Sequence, residues 1–274
     1  MLPLSSEYYP EFAVKRAIDL ADKFKSELTL EYIFEEQVID KINNVSSGAV
    51  TQCSLEEMAE EVKNVEIASE STVIFEEIEK RARKKNILIH KQIHSGYLTE
   101  EILNCIGDQG INLIITEYHR DAVSKYSILY DSPVPIWLEN NGKKVEKIYG
   151  ILTNLSPNLL APKAAFYLSK KLDLPLHFYY VLDTTDLQHD QTDWKDQKIL
   201  IKTLRERAKK LNIYFEYDTV TQEISSFLDH TFRHERNSVV VLGRFKKPVK
   251  IPFISLDKKI EVSKKLEANV LMLK

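Results

Sequence analysis

The chain contains its own pattern twice. Residues 13–33 align without a gap with residues 161–181, at an offset of 148. Ala13/Ala161, Lys15/Lys163, Ala17/Ala165, Leu20/Leu168, Lys23/Lys171, Leu28/Leu176 and Tyr32/Tyr180 are identical. That is 7 of 21 positions, where composition alone gives about one or two. Residues 74–89 align with 200–215 at an offset of 126, where Arg81/Arg207, Ala82/Ala208, Lys84/Lys210, Asn86/Asn212 and Ile87/Ile213 coincide. The offset falls by 22 between the blocks, so the first half carries about that many extra residues, within 35–71.

Both halves carry the same succession of patterns. A short strand (Leu2–Ser5; Lys147–Thr153) leads into a helix with apolar residues three and four apart (Phe12, Ala13, Ala17, Leu20, Ala21, Phe24 in the first half). A second strand (Leu28–Phe34; Leu176–Leu182) precedes a long charged helix. A third strand (Ile87–His94; Ile213–Val220) precedes a helix (Leu98–Ile106; Ile224–Phe232). A fully apolar strand ("NLIIT"; "SVVVL"), a last helix and a terminal strand ("VPIWL"; "NVLML") complete each half. Strands alternating with helices predict parallel sheets covered on both faces. The fold class is therefore α/β, with two tandem flavodoxin-like, doubly wound domains, each a five-stranded parallel sheet. The domains are expected at 1–139 and 147–274. Residues 140–146, polar and containing Gly142, form the linker. Within the first-half insertion, residues 43–53 are small and polar and predict a surface loop. Residues 55–63 carry an apolar stripe at Leu55, Met58, Ala59 and Val62 and predict an amphipathic helix.

Composition narrows the function classes. With 274 residues and a net charge of −3, nothing favours nucleic acid or an anionic membrane as a bulk partner. No apolar run approaches the roughly 18 residues that a membrane helix needs, and the first ten residues do not have the form of a signal peptide. The two cysteines, Cys53 and Cys105, stand far apart and fit a reducing compartment as buried or incidental thiols. A cytoplasmic protein is expected.

The ordered motifs resemble the universal stress protein family over nearly the whole chain, as a tandem pair. The stretch "PLSSEYYPEFAVKRAIDLA" (3–21) has the spacing of the family's first strand and helix. "GYLTEEIL" (96–103) resembles its G-x-x-x-x-x-I-L motif. "NLIITE" (112–117) and "SVVVLG" (238–243) resemble its fourth strand, and "SPVPIWLE" (132–139) its end. The resemblance implies the HUP-type α/β fold, a stress-response or regulatory role, and pairing of domains through their last strands. For many members it also implies an ATP site built on G-x2-G-x9-G-[ST] after the fourth strand, with an Asp at the end of the first. Glycines there let backbone N–H groups wrap a triphosphate.

In the first half Glu117 stands at the first glycine and Ser5 at the Asp, so no ATP is expected there. In the second half Gly243 matches the first glycine and Ser255 the hydroxyl residue. Lys246 replaces the second glycine, Ile254 the third, and Thr153 the Asp. Pro248 and Pro252 remove two N–H donors. Against the family pattern, the stretch reads as a former phosphate loop that has lost its backbone cradle and gained side-chain charge. Gly243, Arg244, Lys246, Lys247, Ser255 and Thr153 are the candidate anion or nucleotide site, with Lys250 adding charge nearby.

No nucleophile elbow, P-loop, dinucleotide fingerprint or metalloprotease motif is present. No catalytic or metal residue is expected and no resident cofactor, with ATP or another phosphorylated ligand as the open alternative. His230 and His234 share a helix face but have no third ligand in view, and read as a surface pair. His90 and His94 alternate on one strand face and receive no function. Tyr179 and Tyr180 read as packing at a strand end. Two readings remain. One is a non-enzymatic regulatory protein with both nucleotide sites degraded. The other is an ATP-binding protein using only its second half, with weak hydrolysis. Expected partners are the other half of the chain in a pseudo-dimer, a second copy in a homodimer, and an unidentified protein.

Overall fold

The structure, a computed structural model, describes residues 1–5, 9–35, 69, 71–117, 128–153, 160–184, 193–243 and 266–273. Packing divides the chain into two compact units, Met1–Thr116 and Glu117–Lys274.

The first unit contains β1 (Leu2–Ser5), α1 (Glu11–Phe24), β2 (Leu28–Glu35), α2 (71–83), β3 (Ile89–Gly96) and α3 (Leu98–Gln109), and it ends within β4 (Ile114–Glu117). β1, β2 and β3 form a parallel sheet in that order. Met1 carries the pattern to the next strand. Its amino group donates to the Leu113 carbonyl at 2.8 Å, and its carbonyl accepts the Ile115 N–H at 2.9 Å. All eight residues of β2 are buried, as a central parallel strand requires. α1 covers the sheet with Ala13, Val14, Ala17, Ile18, Leu20 and Ala21, while Phe12, expected on that face, is 42% exposed.

The second unit contains α4 (Ile128–Asp131), β5 (Ile136–Glu139), β6 (Lys147–Thr153), α5 (Leu160–Leu172), β7 (Leu176–Leu182), α6 (Asp193–Leu211), β8 (Phe215–Thr221), α7 (Ile224–Phe232), β9 (Ser238–Leu242) and β10 (Asn269–Met272). Its strands run in the order β5-β10-β9-β6-β7-β8. β10-β9-β6-β7-β8 is the second repeat, parallel throughout, in the doubly wound order 5-4-1-2-3. β5 joins it antiparallel, with Val270 opposite Leu138 and Met272 opposite Ile136.

Both faces of this sheet are covered. Tyr149, Ile151, Tyr179 and Val181 pack with Phe227, Leu228 and Phe232 of α7. On the other face the Phe178 ring meets Phe166 of α5 at 5.5 Å and Phe215 at 5.8 Å. The Phe178 ring also lies across Gly150, where a Cβ would come well under 3.0 Å from it.

The sequence repeat reappears as a repeat of register. Ser5 faces Ile33 as Thr153 faces Val181. Leu28 faces Ile89 as Leu176 faces Phe215. The helix ends repeat too. Lys25 and Asp173 are left-handed (φ 54° and 55°), and so are Asn86 and Asn212 (φ 56° and 53°). After each the chain closes back on its helix, Ser26 N–H to Ala21 O at 3.0 Å and Leu174 N–H to Ser169 O at 3.1 Å.

Residues 140–143 are tied down within the second unit. The Asn140 amide donates to Leu266 O at 3.1 Å and Ala268 O at 2.6 Å, and Asn141 donates to Arg236 O at 2.7 Å. Asn140→Ala is therefore expected to cost about 2 kcal/mol, at about 1 kcal/mol for each side-chain bond lost. Urea unfolding followed by tryptophan fluorescence reads this, because Trp137 and Trp194 both lie in the second unit. A loss below about 0.5 kcal/mol would class the segment with ordinary surface positions. The expected loop at 43–53, the helix at 55–63 and the last helix of the second half lie outside the described residues.

Candidate functional site

The second unit has its topological switch point between β6 and β9, the first and fourth strands of the repeat. In open α/β sheets, ligands bind beyond the carboxyl ends of the strands at such a point. Ile151 pairs with Leu242 there, so Thr153 and Gly243 leave the sheet at neighbouring strand ends. Thr153 is buried and Gly243 half-buried. Two of the six expected site residues are thus brought together. Arg244, Lys246, Lys247 and Ser255 lie outside the described residues, as do Pro248, Lys250, Pro252 and Ile254.

Next to Thr153, at the end of β7, is the buried Asp183. Its Oδ2 accepts the Ile224 N–H at 2.8 Å, so it caps the first turn of α7. A negative side chain already sits where the positive end of that helix could meet an anion.

The first unit repeats this arrangement with the same two residue classes. Ser5 occupies the place of Thr153, and Glu35 that of Asp183, each at the offset of 148. The Ser5 hydroxyl donates to the Glu35 carboxylate, and both residues are buried. Glu117 ends β4, half-buried. Two carboxylates therefore stand at the strand ends of the first repeat.

The histidines divide. His230 Nδ1 lies 3.0 Å from Ser226 O, whereas His234 is largely exposed and 4.0 Å from Glu267, so the pair does not converge. His90 contacts Glu27 at 2.7 Å on the surface. His94, to which the sequence assigned nothing, reaches the buried Glu31 on β2. Burial pushes the Glu31 carboxyl above its ordinary value and Glu101 adds repulsion, partly offset by Cys105 and His94. One signal of this group was available: Glu31 is an acid in the middle of "LTLEYIFE", an otherwise strand-forming run. Tyr179 belongs to the aromatic core, stacked on His177 at 4.3 Å with its phenol raised by burial, so it is packing as expected.

The "GYLTEEIL" stretch has a local explanation. Gly96 has φ 154°, and a Cβ there would meet Glu101 Oε1 at 2.8 Å. Glycine lets the Glu101 side chain fold back beside the end of β3.

Among solved structures, the whole chain is similar to a universal stress protein from Archaeoglobus fulgidus, with 14% identity, a TM-score of 0.65 and 95% of that chain covered. It is similar over its full length to a putative universal stress protein from Pseudomonas aeruginosa, with 14% identity, a TM-score of 0.60 and 92% of that chain covered. The cytoplasmic domain of a prokaryotic cation chloride cotransporter is also similar, with 10% identity, a TM-score of 0.54, and 99% of this chain and 93% of that one covered. No family model matches the sequence, and no curated protein does. The chain has the universal stress protein fold and matches these neighbours over its whole length. No helix among the described residues is long and apolar enough to cross a membrane.

Proposed function

We propose that this chain is a non-enzymatic stress-response or regulatory protein of the universal stress protein family, a tandem member whose nucleotide sites have degenerated. The observation that carries this reading is the chemistry of the strand ends. A triphosphate needs donors and cations there, yet the first repeat presents Glu35 and Glu117, and the second presents Asp183 beside Thr153. The protein then acts through its surfaces, in the cytoplasm. The similar fold of the cytoplasmic domain of a cation chloride cotransporter is consistent with a chain of this fold working as part of a larger assembly. The antiparallel pairing of β5 with β10, the terminal strands of the two repeats, supports a pseudo-dimer of the two halves.

One feature favours the alternative, an ATP site in the second half alone: Gly243 stands beside Thr153 at the switch point, followed in sequence by Arg244, Lys246 and Lys247. Calorimetric titration of ATP and GTP at low and high salt separates the readings. Degenerate sites give weak, base-indifferent binding that salt abolishes, since exposed charges are screened beyond about 8 Å at physiological ionic strength. Lys246→Ala with Lys247→Ala weakens both nucleotides together. Tight, adenine-selective, salt-insensitive binding would overturn degeneracy and establish the nucleotide reading.

A further inference from the structure

We propose that Glu31, His94 and Cys105, brought together from β2, β3 and α3 in the core of the first unit, form a binding site for a zinc-class transition-metal ion. The ligand-capable atoms of the three side chains all lie within 4.8 Å of one another, the one such group among the described residues. Around tetrahedral zinc, with bonds of about 2.0–2.3 Å, neighbouring ligand atoms stand roughly 3.5 Å apart. Side-chain shifts of about an ångström close the shell.

Glu31 anchors the site. It is fully buried, and the groups that meet its carboxylate are the His94 imidazole and the Cys105 thiol. A buried carboxylate is costly unless it is paired or metal-bound, and both of these neighbours are themselves metal-ligand types. His94 Nε2 lies 3.1 Å from Glu31 Oε1, a separation that suits two atoms sharing one ion. Cys105 supplies the third atom from the helix above, buried and not in a disulfide.

The surroundings match what a metal-bound histidine needs. The other nitrogen of His94, Nδ1, lies 3.6 Å from Glu101 Oε2. Glu101 is one helical turn before Cys105 on α3, so one helix supplies both a ligand and the carboxylate that orients the imidazole. Gln92 Oε1 sits 3.7 Å from the sulfur and is itself held by Gln109 Nε2. His94 is 40% exposed, so an ion has a route from solvent.

Thiolate, imidazole and carboxylate together select zinc and its neighbours over calcium or magnesium, which take oxygen ligands. Binding releases the Cys105 thiol proton to solvent, and a fourth position is left for water. The second repeat has no counterpart, because Tyr179, Val220 and Thr231 stand at the equivalent positions.

Cobalt(II) is the probe, added to the untagged, chelator-treated full chain. The expected result is the visible spectrum of a tetrahedral ion with a thiolate charge-transfer band, saturating at one ion per chain and bleached by zinc. Cys53→Ala, which removes the other cysteine, leaves the spectrum unchanged. Cys105→Ser removes the charge-transfer band. Glu101→Gln keeps the band but weakens affinity roughly 10- to 100-fold, the usual cost of losing an outer-shell partner. If Cys105→Ser does not fold, His94→Ala at the half-exposed position decides, and affinity must fall by more than about 10-fold. No band, a band that survives Cys105→Ser or follows Cys53, or unchanged affinity in His94→Ala overturns the proposal.

Discussion

Gly150→Ala is expected to destabilise the second unit by about 3 kcal/mol, at the upper end of the usual cost of overpacking. Gly150 lies in β6, between β9 and β7, and the Phe178 ring occupies the space a methyl group would need. The ring cannot tilt away easily, because Phe166 and Phe215 are packed against it. The backbone cannot move away either, since β6 is held in register on both sides. The check is a double-mutant cycle with Phe178→Leu, read from the urea midpoint of tryptophan fluorescence. In the Phe178→Leu background the same alanine should cost less by about 1–3 kcal/mol, the range seen for residues in contact. Additive effects would mean that the glycine is required for some reason other than the ring.

Trp137→Ala should have an effect at least as large. Trp137 is fully buried in β5, and its Nε1–H donates to Glu139 Oε2 at 2.8 Å, where Glu139 is also fully buried. Removing a buried tryptophan costs about 3–5 kcal/mol, a large share of the roughly 5–15 kcal/mol that holds a domain. Trp137→Phe should fall between wild type and alanine, because it keeps most of the apolar volume and removes one donor to the carboxylate. Thermal unfolding followed by far-ultraviolet circular dichroism distinguishes the three proteins. Equal melting temperatures for the alanine and phenylalanine variants would show that volume at this position is unimportant, against the packing described.

The duplicated fold was legible because its signals are local and repeated. The spans Leu2–Ser5, Lys147–Thr153, Leu176–Leu182, Ile224–Phe232 and Ser238–Leu242 coincide between sequence and structure. β3 and β8 begin two residues later than Ile87 and Ile213 suggested. The cause is the left-handed asparagine before each: Ile87 N–H still bonds back to Ala82 O at 3.2 Å, and Ile213 N–H to Ala208 O at 3.0 Å. Those two apolar residues close the preceding helix before the strand starts. The strand-end chemistry was half legible. Glu117, Ser5 and Thr153 could be placed by motif, whereas Glu35 and Asp183 could not, because a carboxylate at a strand end looks like any solvated loop residue until its burial is known. Glu31, His94 and Cys105 were hidden for a different reason. They are separated by 63 and 11 positions in the chain, and only the β2–β3 register and the placement of α3 bring them together.

The repeated register also bears on fidelity of assembly. A chain that carries one ladder twice offers its own strands as competitors for each other's partners, and exchange of elements is a known failure of repeat proteins. If β2 took β8 in place of β3 at the same offsets, Glu31 would lie opposite Asp218 and Thr29 opposite Glu216. If β7 took β3, His177 would lie opposite His90 and lose Glu216 and Asp218, which now stand 3.1 and 2.7 Å from its ring nitrogens. Like charges facing one another destabilise a strand pair, whereas each correct pairing sets acid near imidazole. The two halves place these groups with opposite polarity, acid on the second strand and imidazole on the third in one, the reverse in the other. The divergence that set the core chemistry of the repeats apart thus also marks each strand with the identity of its proper neighbour.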